Sequence, residues 1–160
     1  MKKHKLLIAI ILFSLTCIAN ASSYNIAHRS KVTASSVQDE QRKASNVTDG
    51  IVRILNKGEW ASNSDMTFWG EIDYPWIQLD WDTSVCVNKV ILFDRVDEKV
   101  HTAGGILHFS DGSSIDVWQI PNDGSPKVVE FPAKKTKWIR FEVTDGDGKN
   151  LGLSEIEVYP

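Results

Sequence analysis

The chain has 160 residues, of which 42% are hydrophobic, with 18 Lys and Arg against 21 Asp and Glu. This acidic balance argues against nucleic acid and anionic membrane surfaces as primary partners, because both attract basic proteins. The length suits a single domain, which can bury roughly 68% of its extended surface and needs no stapling disulfide.

The first 21 residues are typical of a cleaved export signal. Lys2, Lys3 and Lys5 form a basic start, an apolar run covers 6–13, and Ala19-Asn20-Ala21 fits a small-x-small cleavage site. A membrane anchor is the competing interpretation, but a spanning helix needs roughly 20 apolar residues. We therefore expect residues 1–21 to be a signal peptide, residues 22–160 to be one domain, and the protein to be secreted or periplasmic.

The strongest pattern in the rest of the chain has a period of two residues, which is typical of half-buried strands. Apolar and polar side chains alternate through 77–81, 115–117 and 139–143. Turn-forming Gly, Asn, Asp and Pro residues separate such runs, as at 110–113 and 121–126. Short strands with turn signals roughly every 8–12 residues indicate an all-β sandwich or barrel.

The pattern predicts about eight strands and very little helix. Only 37–46 is expected to hold a turn or two of helix, and no second domain or internal repeat is indicated. The strands are expected at about 31–35, 75–81, 88–96, 104–110, 113–120, 127–131, 137–144 and 153–159.

No motif typical of an enzyme or a zinc site is present in the sequence. Outside the signal, His28, His101 and His108 stand far apart, and neither His-x-x-x-His nor Cys-x-x-Cys spacing occurs. The run 145–148 is similar to the start of a calcium loop, but Lys149 stands at the third ligand position, which favours a simple turn. The sequence therefore favours a binding protein over an enzyme.

Six short segments occur in an order that matches a known family. In this order they resemble discoidin domains, the coagulation-factor (F5/8) C-type or galactose-binding-like family, which includes many bacterial carbohydrate-binding modules. The resemblance covers about residues 25–160 and implies a jelly-roll β-sandwich whose N- and C-terminal strands are adjacent. The segments are Asn25-Ile26-Ala27, Val32-Thr33-Ala34-Ser35-Ser36, Ala44-Ser45-Asn46-Val47-Thr48-Asp49-Gly50, Trp60-Ala61-Ser62, Trp76-Ile77-Gln78-Leu79-Asp80 and Ser154-Glu155-Ile156-Glu157-Val158-Tyr159.

The resemblance also implies a structural calcium ion where the Asp-Gly loop meets the last strand. Asp49 and Glu155 would supply carboxylate oxygens, and backbone carbonyls of 44–53 and Ser154 would complete the six to eight oxygens that calcium prefers. The alternative makes Asp49 a turn former and Glu155 a surface strand residue. Relatives often place a Thr ligand shortly after Asp-Gly, and the corresponding segment here has none.

Sugar binding in that family uses loops at one end of the sandwich, where a sugar ring stacks on an aromatic side chain and polar groups set selectivity. Carried over here, Trp69 is the expected aromatic platform. Asp94, Arg95, His101 and Asn150 are the expected polar contacts. Arg95 could instead pair with a nearby acid, and Trp69 could plug the core.

These observations predict an exported, non-catalytic carbohydrate-binding protein whose partner is a glycan or glycoconjugate and whose cofactor is a structural calcium. The alternative is a structural or adhesive module that binds an envelope or secreted protein. Neither nucleic acid nor a membrane span is expected.

Overall fold

The computed structural model describes residues 24–64 and 74–160. Within these ranges the chain is all-β, as predicted, with two short 3₁₀ helices at Ala27–Arg29 and Ala44–Thr48. The same ranges hold no helix long and apolar enough to cross a bilayer. The strands are β1 (Lys31–Ala34), β2 (Trp60–Ala61), β3 (Trp76–Asp94), β4 (His101–Phe109), β5 (Ser114–Trp118), β6 (Lys127–Asp147) and β7 (Gly152–Tyr159).

Two long strands, β3 and β6, run through both layers of the sandwich. They pair antiparallel from Trp76 to Asp80 and again from Val85 to Leu92, with a register shift between the two stretches. Such irregularities bend strands. The first half of β3 also pairs with β1, and its second half pairs with β7. The hydrogen-bonded order β2-β7-β3-β6-β4-β5 therefore folds over on itself.

The boundaries differ from the sequence prediction at these long strands. The expected strands at 75–81 and 88–96 are one strand, as are those at 127–131 and 137–144. Polar residues interrupt the alternation in each case, but backbone pairing such as that of Val85 with Thr136 continues the ladder. Strand β2 was not predicted, because two residues give no periodic signal.

The core lies between the two layers and draws alternate residues from each. Ile77 and Phe141 belong to one layer, Leu92 and Ile156 to the other, and all four side chains are buried in the same cluster. Each such side chain contributes about 1.5–3 kcal/mol when fully buried. The core therefore holds the two layers together through side chains from both.

The first described residues are tied to the last strand. The Ile26 amide donates to the Val158 carbonyl at 2.8 Å, and the Val158 amide donates to Asn25 Oδ1 at 3.0 Å. Trp81 Nε1 donates to the Ile26 carbonyl at 3.2 Å from the core side. The segment before β1 therefore lies beside β7, whereas β1 itself pairs with β3 rather than with the last strand.

Candidate functional site

Asp49 and Glu155 meet at a corner where the loop after the second 3₁₀ helix contacts β7. The Gly50 amide donates to Glu155 Oε2 at 3.2 Å, and the Ile51 amide donates to Asp49 Oδ1 at 2.8 Å. Gly50 has a φ of +79°, a conformation that glycine adopts without strain. The fold thus joins two acidic residues that lie 106 positions apart in the sequence.

Glu155 is a buried carboxylate that no described cation neutralises. The residue is 1% exposed, its Oε1 has no hydrogen-bond partner, and the ion pairs formed within 24–64 and 74–160 do not include it. Burial and the charge of Asp49 raise the pKa of Glu155 to about 8, although the Gly50 hydrogen bond acts in the opposite direction. Glu155 is therefore not a surface residue, whereas Asp49 is exposed and accepts the Ile51 amide as a turn former does.

The donor set at this corner fits a hard cation. A buried carboxylate oxygen without a partner is costly, and a calcium ion would both neutralise Glu155 and use its free oxygen. Across the described ranges, no three His, Cys, Asp or Glu side chains converge on one point. Backbone carbonyls would therefore have to complete the shell around Asp49 and Glu155.

A second buried carboxylate, Glu59, is neutralised by two arginines. Its Oε1 accepts from Arg95 Nη2 at 2.9 Å and from Arg42 Nε at 3.0 Å. Glu59 is 1% exposed and Arg95 is 3% exposed, so this pair is removed from solvent. The Arg95 Nη1 atom also donates to the Asn150 carbonyl at 2.8 Å. The Glu59 network, defined as Glu59, Arg42, Arg95 and the Asn150 carbonyl, joins three loops at one end of the sandwich.

Asp94 lies beneath the surface rather than in a position to contact ligand. Its Oδ1 accepts from the Arg95 amide at 2.8 Å, and both carboxylate oxygens accept from the Thr102 amide at 3.2 Å. Burial raises the pKa of Asp94 to about 7, although these amides and the nearby His101 and Arg95 act to lower it. Asp94 therefore holds the start of the loop that follows β3.

His101 and Asn150 lie close to the same loop. His101 Nε2 is 2.8 Å from the Ile120 carbonyl and 3.9 Å from Asp94 Oδ2. Asn150 has a φ of +58°, and its backbone amide donates to the backbone carbonyl of Ser64 at 3.1 Å. The structure thus brings the four predicted polar residues together, with Asp94 and Arg95 buried and the other two half-buried. Trp69, the predicted aromatic platform, lies outside the described residues.

An open cleft of about 640 Å³ lies beside this cluster. The turn at 95–99, which lines the cleft, is held by two hydrogen bonds. The Asp97 backbone amide donates to the Arg95 carbonyl at 3.0 Å, and the Lys99 backbone amide donates to the side-chain Oδ1 of Asp97 at 2.8 Å. The lining residues are Leu55, Asn56, Val96, Asp97, Glu98, Lys99 and Asn122.

The Glu59 network also positions one wall of the cleft. Arg42 Nη2 donates to Asn56 Oδ1 at 2.7 Å, which leaves the amide nitrogen of Asn56 for another partner. The side-chain amide nitrogen of Asn122, another lining residue, can be oriented to donate to the Arg95 carbonyl and to Asp94 Oδ2, each at 3.2 Å. Buried charges beneath the cleft therefore fix the amides that line it.

Sequence reasoning missed Glu59, Arg42 and most of the cleft lining. The partners of Glu59 lie 17 and 36 residues away along the chain, so no local pattern marks them. The turn-forming run 121–126 predicts a loop, but the sequence gives no sign that this loop meets 55–56 and 96–99.

Three solved structures of binding modules are similar to this chain. The chitosan-binding module 1 of a chitosanase/glucanase from Paenibacillus sp. IK-5 is 27% identical, with a TM-score of 0.64 over 86% of this chain and 99% of that one. The fucose-binding module SpX-3 of Streptococcus pneumoniae is 19% identical, with a TM-score of 0.66 over 86% and 98%. The family 32 carbohydrate-binding module of Clostridium perfringens NanJ is 17% identical, with a TM-score of 0.67 over 85% and 98%.

These likenesses confirm the galactose-binding-like sandwich fold. All three relatives are binding modules rather than catalytic domains, in agreement with the expectation of a protein that is not an enzyme. A comparison with curated protein sequences finds no match. Residues 25–159 match the family described as "Domain of unknown function (DUF7402)", and the chain belongs to that family.

Proposed function

We propose that this chain is a non-catalytic carbohydrate-binding domain. The observation that carries the proposal is its 27% identity to a chitosan-binding module across 99% of that module. The solved neighbours with lower identity support the fold of such a module. Carbohydrate binding needs no catalytic group, which agrees with a sequence that lacks enzyme motifs.

The cleft beside Arg95 is the proposed ligand site. Leu55 and Val96 offer apolar contact to the C–H faces of a sugar ring, while the amides of Asn56 and Asn122 can hydrogen-bond its hydroxyls. Carboxylates at Asp97 and Glu98 add acceptors. Few, fixed polar groups around an apolar surface are the usual basis of sugar selectivity.

In this proposal the predicted polar residues divide into two groups. Asp94 and Arg95 are positioning residues, because both are buried and their polar atoms hold neighbouring loops. His101 and Asn150 are half-buried and remain candidates for direct contact. Trp69 stays a prediction from the sequence as the aromatic platform.

A structural calcium ion at Asp49 and Glu155 is the second part of the proposal. It is supported by the buried, unpartnered Glu155 Oε1 and by the meeting of the two acids at one corner. A bound ion would supply the positive charge that this corner lacks.

We also propose, from residues 1–21, that the protein acts in the periplasm or outside the cell.

The binding proposal is tested with a glycan array followed by affinity gels. Leu55→Ser and Glu98→Gln alter exposed cleft residues, so they should weaken retention on the identified glycan without lowering the melting temperature. Val128→Ala removes a comparably exposed apolar side chain from β6 and is the matched control. Failure to bind any glycan, or equal retention of all four proteins, would overturn the proposal.

A protein-binding module is the second candidate, and one observation favours it. Ile54 and Leu55 are exposed apolar residues on the loop beside the cleft. Envelope extracts passed over the immobilised protein separate the two candidates. Free sugar should release a glycan contact, whereas a protein interface through Ile54 should resist sugar and weaken in Ile54→Ser.

A further inference from the structure

The outer face of the sheet carries an exposed tryptophan at the end of its edge strand. Trp118 closes β5, which pairs with β4 alone among the described strands, and the residue is 56% exposed. Gly104 of β4 is its cross-strand partner, and a Cβ atom built on Gly104 would lie 3.5 Å from Trp118 Cε3. Because Gly104 has no side chain, the edge of the indole lies against the backbone of β4 and is not covered at this position.

Two carboxylates neighbour this indole on the same sheet face, and a third lies in the next row. Gly104 also pairs with Asp145 of β6, whose Cβ lies 3.6 Å from the same built position, so Trp118 and Asp145 flank the glycine from opposite sides. Asp116 is two residues before Trp118 on the same strand face, roughly 7 Å away. Glu142 is in the next row of the sheet, across Ile106 from Asp116.

None of these three acids is neutralised by a described residue. The ion pairs within 24–64 and 74–160 involve Asp39, Glu59 and Asp94, and none involves Asp116, Glu142 or Asp145. Asp116 and Asp145 are exposed. The Trp118 patch, defined as Trp118, Asp116, Ile106, Glu142 and Asp145 around Gly104, thus combines an aromatic face with unpaired negative charge.

We infer that the Trp118 patch is a second ligand site, separate from the cleft, that takes a cationic amino-sugar residue. The C–H face of the ring would stack on the indole, and its ammonium group would bind the carboxylates, with further attraction from the indole face. One tryptophan and three acids cover far less area than the roughly 800 Å² per partner of a stable protein interface. Charge complementarity disfavours uronic acids and favours amino sugars.

The choice of a sugar as ligand rests on the proposed carbohydrate binding, whereas the site itself rests on the residues of the Trp118 patch.

The test is a titration of the protein, with ¹⁵N-labelled tryptophan indoles and asparagine amides observed by NMR. The probes are the glucosamine trimer, protonated at the working pH, and the N-acetylglucosamine trimer, which has the same rings without the charge. Wild type is compared with Trp118→Ala, the paired variant Asp116→Asn/Asp145→Asn and Val128→Ala.

We expect the Trp118 indole signal to shift with the glucosamine trimer and at least about tenfold less readily with the acetylated trimer. The paired asparagine variant should lose that preference and its salt dependence, Trp118→Ala should lose the binding, and Val128→Ala should behave as wild type.

An unshifted Trp118 signal, or equal binding of both trimers, would overturn the inference. Tetralysine shifting Trp118 as strongly as the glucosamine trimer would also overturn it, because the patch would then take any cation. Shifts confined to Asn122 would leave the cleft proposal standing and refute this one, while shifts confined to Trp118 would do the reverse.

Discussion

Two buried glutamates, Glu59 and Glu155, have the same exposure and opposite surroundings. Glu59 accepts hydrogen bonds from two guanidinium groups, so its charge is neutralised within the domain. Glu155 accepts one backbone amide, and its second oxygen has no partner. Burial alone therefore does not mark a ligand site. A carboxylate whose charge the chain leaves uncompensated indicates a site for a cation or a proton.

The largest expected effect is at the compensated glutamate. Glu59→Ala should lower the free energy of unfolding by about 3–5 kcal/mol, because it leaves the buried Arg95 guanidinium without its partner. Urea denaturation measures this loss. Glu59→Gln keeps an oxygen that can accept from Arg95 and Arg42 and should therefore cost less than Glu59→Ala. A loss below about 1 kcal/mol in Glu59→Ala would show that the network is not structural.

The next effect is expected at the uncompensated glutamate. Calcium at about 100 times its dissociation constant should stabilise the protein by roughly 2.7 kcal/mol, seen as a rise in melting temperature. Glu155→Gln and Asp49→Ala should abolish the rise, whereas Glu59→Gln should keep it. A wild-type protein that responds to neither calcium nor a chelator has no such site.

The calcium response should also depend on pH. Burial and Asp49 raise the pKa of Glu155 to about 8 from an ordinary value near 4.5. In the calcium-free protein this raised pKa contributes stability below pH 4.5 that is lost as pH rises through 8. Calcium must displace the proton, so the calcium-induced rise in melting temperature should be larger at pH 8.5 than at pH 5.5. Glu155→Gln should remove this difference, and a response independent of pH in wild type would contradict it.

The smallest effect is expected at the partly exposed arginine. Arg42→Ala should cost about 1 kcal/mol, because Arg42 is nearer to solvent and Glu59 keeps Arg95. The same change frees the Asn56 side chain, so affinity at the cleft should fall more than stability does. Arg42→Lys, compared in the same melting and binding measurements, should keep the charge and lose the geometry. If wild type, Arg42→Ala and Arg42→Lys bind the cleft ligand with equal affinity, the Glu59 network does not position the cleft.

The sequence predicts those parts of the molecule that local patterns encode. Period-two alternation identifies the sheet. The resemblance to discoidin domains places Asp49 with Glu155, and Asp94 and Arg95 with His101 and Asn150, and the fold brings each set together. The resemblance does not say that Asp94 and Arg95 point inward. Whether a polar side chain points inward depends on the hydrogen-bond partners that it finds far away in the sequence. No local sequence pattern marks those partners.

Other features depend on pairings between distant strands. The network of Glu59 joins three loops, and the Trp118 patch exists because Gly104 lies opposite both Trp118 and Asp145. No single residue of the Glu59 network or the Trp118 patch stands out in the sequence of its own segment. Only the register of β4, β5 and β6 creates the arrangement.

The position of β7 has a consequence for the timing of folding. The strand lies between β2 and β3, and its Val158 carbonyl is bonded to Ile26. One layer of the sandwich therefore cannot close without residues 152–159, and the apolar faces of the earlier strands stay unburied until β7 pairs with them. Pairings of such long sequence separation fold slowly. We expect a chain truncated before β7 to stay unfolded, and the complete domain to form in a single late step.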